Sequence, residues 1–213
     1  MGAGRTELME CLFGMQPTAS GTVRLAGRVL RSEPISERIR AGLAFVTEDR
    51  QKLGLVQCLS VSENMTLANL DRFRRGPVLS RSREREGVQR LIEALSIKVS
   101  RADQPITSLS GGNQQKVVIA KSLLTDPKVL MMDEPTRGID IGAKADVFRI
   151  MCELAGKGIG VLFVSSELKE VVAMADRALV MARGRFTANL PRHEITEAAL
   201  AAGAGAGTGG AGA

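Results

Sequence analysis

The chain has 213 residues, of which 44% are hydrophobic and 24% charged, the usual composition of a globular protein with a hydrophobic core. Only 3% are aromatic, which argues against binding of single-stranded nucleic acid by base stacking, and the formal net charge is +6. Cys11, Cys58 and Cys152 are too far apart for a disulfide framework or a metal site. Without a long apolar run or a signal-like N-terminus, we expect a cytosolic chain that does not cross a membrane.

The first part of the chain alternates short helices and strands. Apolar spacing and turn signals predict, in order, a helix over 5–13, a β-hairpin of strands 22–25 and 28–30, a helix over 35–41 and a strand over 43–46. This last strand runs into the charged segment Glu48-Asp49-Arg50.

Between residues 61 and about 108, apolar residues recur at helical spacing among many charges, which predicts an inserted helical subdomain. Basic residues are locally dense only from Arg72 to Arg90. A solvated surface accounts for this excess, so we favour that interpretation. Anionic lipid headgroups, phosphates and nucleic acid are alternatives that charge alone does not distinguish.

After residue 108 strands and helices alternate again. Helices are predicted over 112–124, 143–155 and 169–175, and strands over 129–132, 159–164 and 178–181. This order predicts an α/β fold with a mostly parallel sheet, whose functional loops follow the carboxyl ends of the strands. We assign residues 1–197 to the folded domain and predict disorder for the Ala/Gly-rich residues 198–213, with a short helix over 198–202 as the alternative.

The chain opens with a possible phosphate-binding segment, Gly2-Ala3-Gly4-Arg5-Thr6-Glu7. It matches the second half of a loop in which glycine amides at a helix N-terminus cradle phosphates. Arg5 stands at the usual Lys position, and Thr6 where a Mg²⁺-binding hydroxyl belongs. The first Gly of such a loop and its preceding strand are not in the sequence, and a glycine-containing chain start is the alternative.

Two further segments carry candidate chemistry. Ser110, Gly111 and Gly112 precede a predicted helix, where open N–H groups and the helix dipole favour an anion; an ordinary N-cap is the alternative. Asp133 and Glu134 end an apolar strand, where one carboxylate can hold Mg²⁺ and the other can polarise a water; an acidic turn before Pro135 is the alternative. Ser110 precedes Asp133 by 23 positions, one helix apart.

Together these segments resemble the ATPases of ABC transporters. Leu109–Gln115 is similar to the family's signature motif, Met132–Pro135 to the end of its Walker B strand, and Gly138–Asp140 to its D-loop. The resemblance implies a P-loop NTPase-like fold that binds ATP and Mg²⁺. The residues that it implies are catalytic Glu134 and Asp133, metal-binding Thr6 and Asp133, and nucleotide-binding Gly2, Ala3, Gly4, Arg5, Thr6, Glu7, Glu48, Ser110, Gly111, Gly112, Gln114, Asp140 and Ser166.

The chain resembles most closely the second cassette of the tandem ATPases of monosaccharide importers of the ribose, galactose and xylose type. The resemblance rests on 2–8, 48–50, 109–116, 136–142 and 164–168. It implies a cassette that lacks its N-terminal part and pairs with a second cassette and permease subunits at the cytoplasmic face of the bacterial inner membrane. A periplasmic sugar-binding protein is an indirect partner, and no nucleic acid is implied.

Three positions depart from an active cassette of that family. Arg5 replaces Lys, Glu48 replaces the Q-loop Gln, and Ser166 replaces the switch His. Arg differs from Lys in shape, a carboxylate cannot donate as an amide does, and Ser cannot act as a cation. We therefore hypothesise an asymmetric pair, in which Ser110, Gly111, Gly112 and Asp140 complete the partner's ATP site and the chain's own site is weak. A soluble ABC ATPase without a permease and a catalytically impaired fragment are the alternative functions.

Overall fold

A computed structural model describes residues 2–18, 20–30 and 34–205. Its elements in chain order are α1 Arg5–Phe13, β1 Val23–Leu25, β2 Arg28–Leu30, α2 Ile35–Ala41, β3 Leu43–Val46, α3 Val61–Thr66, β4 Arg74–Arg75, β5 Val78–Leu79, α4 Arg81–Ala94, α5 Gly111–Leu123, β6 Val129–Asp133, α6 Ile141–Gly156, β7 Gly160–Val164, α7 Leu168–Met174, β8 Arg177–Ala182, β9 Arg185–Pro191 and α8 Glu197–Gly205.

A three-stranded parallel sheet of order β3-β6-β7 forms the centre of the fold. Side chains of β6 alternate between two core layers, because successive residues of a strand point to opposite faces. Leu130 and Met132 pack with α5 and α6 on one face, whereas Met131 packs with Met9 and Leu43 on the other, beneath α1. The sheet is thus covered on both faces, and its three carboxyl ends lie at one edge.

The segment over 61–108 contains helices and the small hairpin β4-β5, and residues 95–105 form an irregular connection. Its first helix, α3, begins with a capping box, in which the Ser60 hydroxyl accepts the Glu63 N–H and the Glu63 carboxylate accepts the Ser60 N–H. Buried residues of this segment, such as Phe73 and Val88, share one hydrophobic cluster with α5. The division of the chain into a body and a helical subdomain stays a prediction.

The placement of the 178–181 strand in the parallel sheet was wrong. Arg183 and Gly184 both have positive φ, 50° and 74°, and reverse the chain so that β8 pairs antiparallel with β9. Among the described residues, β7 and β8 each keep one unpaired edge. These edges line an apolar groove of about 690 Å³, in which Leu162 and Leu179 are exposed.

The part of the tail that the structure describes is helical, which agrees with the alternative given for residues 198–202 and not with the predicted disorder. The helix α8 extends to Gly205, and its Leu200 joins a buried cluster with Val180 and Ile195. Gly203 allows close packing, because a Cβ there would lie 3.1 Å from the Val180 side chain. Residues 206–213 lie outside the described residues. None of the described helices is long and apolar enough to cross a bilayer.

Candidate functional site

The N-terminal turn of α1 lies at the carboxyl edge of the sheet. Gly4 adopts a left-handed conformation, with φ of 89°, and caps α1 without any side-chain hydrogen bond to the first turn. The Ala3 carbonyl accepts the Gly184 N–H at 3.0 Å, and a Cβ on Gly4 would lie 3.2 Å from Gly184 Cα. The glycines thus place the first N–H groups of α1 in an open turn, which is the arrangement that binds phosphate.

Asp133 is the buried carboxylate of this edge, with 1% of its surface exposed. Neither of its oxygens has a hydrogen-bond partner in the described chain. Burial raises the pKa of Asp133, and the nearby Glu134 carboxylate adds to this, while the Thr6 hydroxyl and the Arg5 guanidinium act in the opposite direction. Thr6 and Arg5 therefore lie close to Asp133, as the motif interpretation requires.

The residues around Asp133 fit a Mg²⁺ ion. An acidic side chain buried without partners is costly unless a cation compensates it, and Thr6 adds a neutral oxygen beside it. The described residues contain no cluster of three or more His, Cys, Asp or Glu side chains with metal-binding spacing. This sparse donor set suits Mg²⁺, which keeps several waters and binds through one or two carboxylates and the substrate's phosphates.

Glu134 is held in an unusual backbone conformation with φ of 45°. Its N–H donates to the Val164 carbonyl at 3.0 Å, which ties the end of β6 to the end of β7. Its carboxylate accepts the Ser166 hydroxyl at 3.1 Å. A strained non-glycine residue fixed in this way is typical of functional sites, and here it brings together two of the predicted residues.

Arg5 is already engaged within the chain. Its guanidinium donates to the Ser165 carbonyl at 3.2 Å, one residue before Ser166. This bond holds the side chain against the end of β7, so a phosphate at the turn must share the guanidinium with the backbone. The substitution of Arg for Lys therefore has a visible structural consequence.

Glu48 is paired with Arg137 of the D-loop region. Beside it, the Arg50 guanidinium donates to the Arg137 and Gly138 carbonyls at 3.0 and 3.1 Å. Arg50 also lies against the start of α5, where a Cβ on Gly111 would be 2.7 Å from it. Arg50 was not among our predicted site residues, although it stands in the quoted Glu-Asp-Arg segment. Its contacts with residues 137–138 and with Gly111 depend on the tertiary structure, so the sequence alone did not reveal them.

The start of α5 is open, as predicted for the signature segment. Ser110 is exposed, and its hydroxyl makes no cap bond to the helix but accepts the Asn113 side-chain amide at 3.0 Å. The exposed Asp140 caps α6 by accepting the Ala143 N–H at 2.9 Å. Gly112 packs against Ala143, because a Cβ on it would lie 2.4 Å from the Ala143 Cβ. Ser110 and Asp140 are thus exposed on neighbouring segments, whereas Gly112 is buried between α5 and α6.

The structure gives Gln114 a different role from the predicted one. Its side chain is buried, and its amide donates to the Leu109 and Ile106 carbonyls. It therefore supports the segment before α5 from inside and is not available to a nucleotide. Gly2 and Glu7 are exposed, and a Cβ on Gly2 would meet nothing within 4 Å.

A buried network centred on Glu170 was missed. Glu170 is 6% exposed and accepts the hydroxyls of Thr136 at 2.8 Å and Ser165 at 2.7 Å, and the ammonium of Lys144 at 3.1 Å. It joins the residues after Glu134 to those around Ser166. Its partners come from three separate segments, so no local pattern could have revealed the network.

Solved structures share this architecture. The dimeric ATP-binding cassette MJ0796 in a post-hydrolysis state with ADP and Pi superposes with a TM-score of 0.76 at 20% identity, over 89% of this chain and 81% of that one. The ATP-binding cassette MJ1267 of an ABC transporter gives 0.77 at 25% identity, over 91% and 78%. The fold and the site thus define an ATP-binding cassette.

Sequence relatives identify the family. The ABC transporter family profile matches residues 1–137. The ribose import ATP-binding protein RbsA of Rhodopirellula baltica is 51% identical over 92% of this chain, and the xylose import ATP-binding protein XylG of Photobacterium profundum is 46% identical over 94%. The chain belongs to the ABC transporter ATPase family. It spans 39% and 41% of these two relatives' lengths.

Proposed function

We propose that the chain is the ATP-binding and ATP-hydrolysing motor domain of an importer for a monosaccharide of the ribose, galactose or xylose type. The names of its relatives support the transported class. The observation that carries the proposal is the meeting, at one sheet edge, of the α1 turn with Asp133 and Glu134. A soluble ATPase without a permease has no observation of its own in its favour.

Each residue of this edge has a part in the proposed reaction. Thr6 and Asp133 would hold Mg²⁺, which when bound neutralises charge on the phosphates. The open amides of the Gly4 turn bind phosphate oxygens, and Arg5 adds a charge that its bond to Ser165 restrains. The Glu134 carboxylate orients and polarises the attacking water, and the Ser166 hydroxyl fixes that carboxylate.

We further propose a head-to-tail pair with a second cassette, on permease subunits at the cytoplasmic face of the inner membrane, fed by a periplasmic sugar-binding protein. Ser110, Gly111, Gly112 and Asp140 would complete the ATP site of the partner cassette. The exposed Ser110 and Asp140 and the open start of α5 support this assignment. The restrained Arg5 and the Glu48–Arg137 pair support a weak site on this chain's own side.

The asymmetry is tested by ATP turnover in the assembled importer. We expect Ser110→Arg to abolish turnover, because the larger cation fills the surface that meets the partner's nucleotide. Arg5→Ala should reduce turnover less than about tenfold, and Ser20→Arg, in an exposed loop, should leave it unchanged. Equal losses for Ser110→Arg and Arg5→Ala contradict the asymmetric pair.

Nucleotide binding by this chain tests the proposal separately. Calorimetric titration with Mg²⁺-ATP should give a Kd at or above about 1 mM, which corresponds to roughly −4 kcal/mol. Asp133→Asn should remove the dependence of that binding on Mg²⁺. Low-micromolar affinity overturns the weak-site proposal, and binding that is indifferent to Mg²⁺ in the unsubstituted chain overturns the assignment of Asp133.

A further inference from the structure

The positive charge of the chain is concentrated in one stretch of the helical segment. Residues 72–90, here called the basic face, contain seven arginines and two glutamates, and so supply +5 of the chain's net +6. All seven arginines are exposed. None of them belongs to the ATP site described above, so the ATP site does not account for the charge.

An exposed apolar hairpin strand, β5, lies within this stretch. Gly76, with φ of 64°, turns β4 into β5, and Arg75 pairs with Val78 across the hairpin. Val78 is 66% exposed and Leu79 43%. Two adjacent aliphatic side chains in water beside arginines are an arrangement that burial in a partner would stabilise.

Four guanidinium groups of the basic face are free to bind an external anion. Three of the seven arginines have partners within the chain: Arg72 donates to the Leu124 carbonyl, Arg74 pairs with Asp71, and Arg90 pairs with Glu86. In the described ranges, the guanidinium groups of the other four make no hydrogen bond or ion pair; they are those of Arg75, Arg81, Arg83 and Arg85.

A cavity beside the hairpin extends the face. It has a volume of about 240 Å³, and its lining includes the charged residues Arg72, Arg83, Arg90 and Glu86 together with Phe73 and Leu91. Because Arg72 donates to the Leu124 carbonyl and Arg90 pairs with Glu86, Arg83 supplies the guanidinium that this cavity leaves free beside its apolar side chains. The only aromatic residue of the segment, Phe73, is buried, so no aromatic face is offered to a nucleic-acid base.

We infer that the basic face binds the anionic surface of a phospholipid membrane. The free arginines meet headgroup phosphates, and Val78 and Leu79 enter the interface between headgroups and acyl chains. An RNA or an acidic protein would satisfy the charges but leave the aliphatic strand β5 without a role. The inference is independent of nucleotide turnover, because the two surfaces share no residue.

Co-sedimentation with lipid vesicles tests the inference. The chain should bind phosphatidylcholine vesicles that contain about one third phosphatidylglycerol at least tenfold more tightly than pure phosphatidylcholine vesicles, and salt should weaken the binding. The triple variant Arg81→Gln, Arg83→Gln, Arg85→Gln should bind anionic vesicles roughly 100-fold more weakly. The double variant Val78→Ser, Leu79→Ser should lose about tenfold.

A charge-matched control separates the face from net charge. The exposed residues Arg24, Arg177 and Arg185 lie outside the basic face, and changing all three to Gln removes the same charge. Equal losses for the two triple variants overturn the inference. Tight binding of a single-stranded RNA also overturns the inference if the arginine variant loses this binding and the Val78, Leu79 variant keeps it. This result would identify a nucleic-acid surface. Circular dichroism checks that each variant is folded.

Discussion

At the scale of single residues, the buried carboxylate of Asp133 belongs to the candidate site and lowers the stability of the folded chain. Burial raises its pKa, so the folded chain binds this proton more readily than the unfolded chain. The free energy of unfolding therefore falls as pH rises from about 3.8, its ordinary pKa, through the raised pKa. We expect Asp133→Asn to remove this decrease and to raise stability above that range by about 1 kcal/mol.

Urea unfolding between about pH 4 and pH 8 measures this effect. The exposed Asp176→Asn is the control and should change stability by less than about 0.5 kcal/mol at every pH. A parallel pH dependence in the Asp133→Asn variant and the unsubstituted chain would contradict the prediction.

Glu170 and Glu167 provide a matched pair, because both accept from Lys144 but only Glu170 is buried. Glu170→Ala leaves the buried Thr136 and Ser165 hydroxyls without this acceptor and leaves Lys144 with Glu167 alone, so we expect it to cost about 2–4 kcal/mol in the free energy of unfolding. Glu167, with 58% of its side chain exposed, should cost less than about 1 kcal/mol on the same change. Denaturant unfolding compares the two, and similar costs would show that the Glu170 network contributes little.

The sequence predicted those candidate site residues that belong to a recognisable local motif. Thr6, Asp133, Glu134 and Ser166 each stand in a recognisable segment, and the structure brings them together. Sequence reasoning did not find Glu170, whose partners lie on three segments, and it assigned Gln114 to the nucleotide although the Gln114 side chain is buried. Which face of α5 turns inward depends on the packing of α3 and the sheet, and no single segment encodes it.

At the scale of elements, Gly112 determines how closely α5 and α6 approach. Gly112→Ala places a methyl group 2.4 Å from the Ala143 Cβ, so we expect a loss of about 1–3 kcal/mol in stability, as for other overpacked cores. The double variant Gly112→Ala, Ala143→Gly should recover most of it. Gly156→Ala, in α6 with nothing within 4 Å, should be neutral or stabilising by about 0.5 kcal/mol. Thermal unfolding measures all three, and failure of the double variant to recover contradicts the contact.

The helices and strands that sequence predicts well are those with strong local signals. Apolar periodicity located α1, α2 and β3 at their observed bounds, and α5, α6 and β7 within about two residues. The strand β9 was missed and α8 was only an alternative, because both have weak local signals: β9 contains Asn189 and ends at Pro191, and α8 is nearly all Ala and Gly. Both are stabilised by contact with β8, which is information that a single segment does not contain.

At the scale of the whole molecule, the structure has a main body and a flank. The flank consists of α7, β8, β9 and α8 around its own hydrophobic cluster, and among the described strands it shares no pairing with the parallel sheet. Phe163 is one of the few side chains that pack against both this cluster and the main core. We expect the flank to open at a lower free energy than the main body.

Native-state hydrogen exchange measures this difference. Backbone amides of β8 and β9 should exchange at least tenfold faster than those of β6, which is buried on both faces. Phe163→Ala should widen the gap, because it removes a contact common to both clusters. Uniform protection across β6 and β8 would show instead that the molecule opens as one cooperative unit.

The groove between β7 and β8 also has a consequence for handling the protein. The unpaired edges of β7 and β8 line one apolar groove. Such edges can pair with an extended segment of another polypeptide, including a second copy of this chain. Concentrated samples should therefore scatter more light with time, and a soluble β-forming peptide in excess should suppress this growth by capping these edges. The backbone N–H and C=O groups on the unpaired edges of β7 and β8 thus limit how long the chain stays monodisperse in solution.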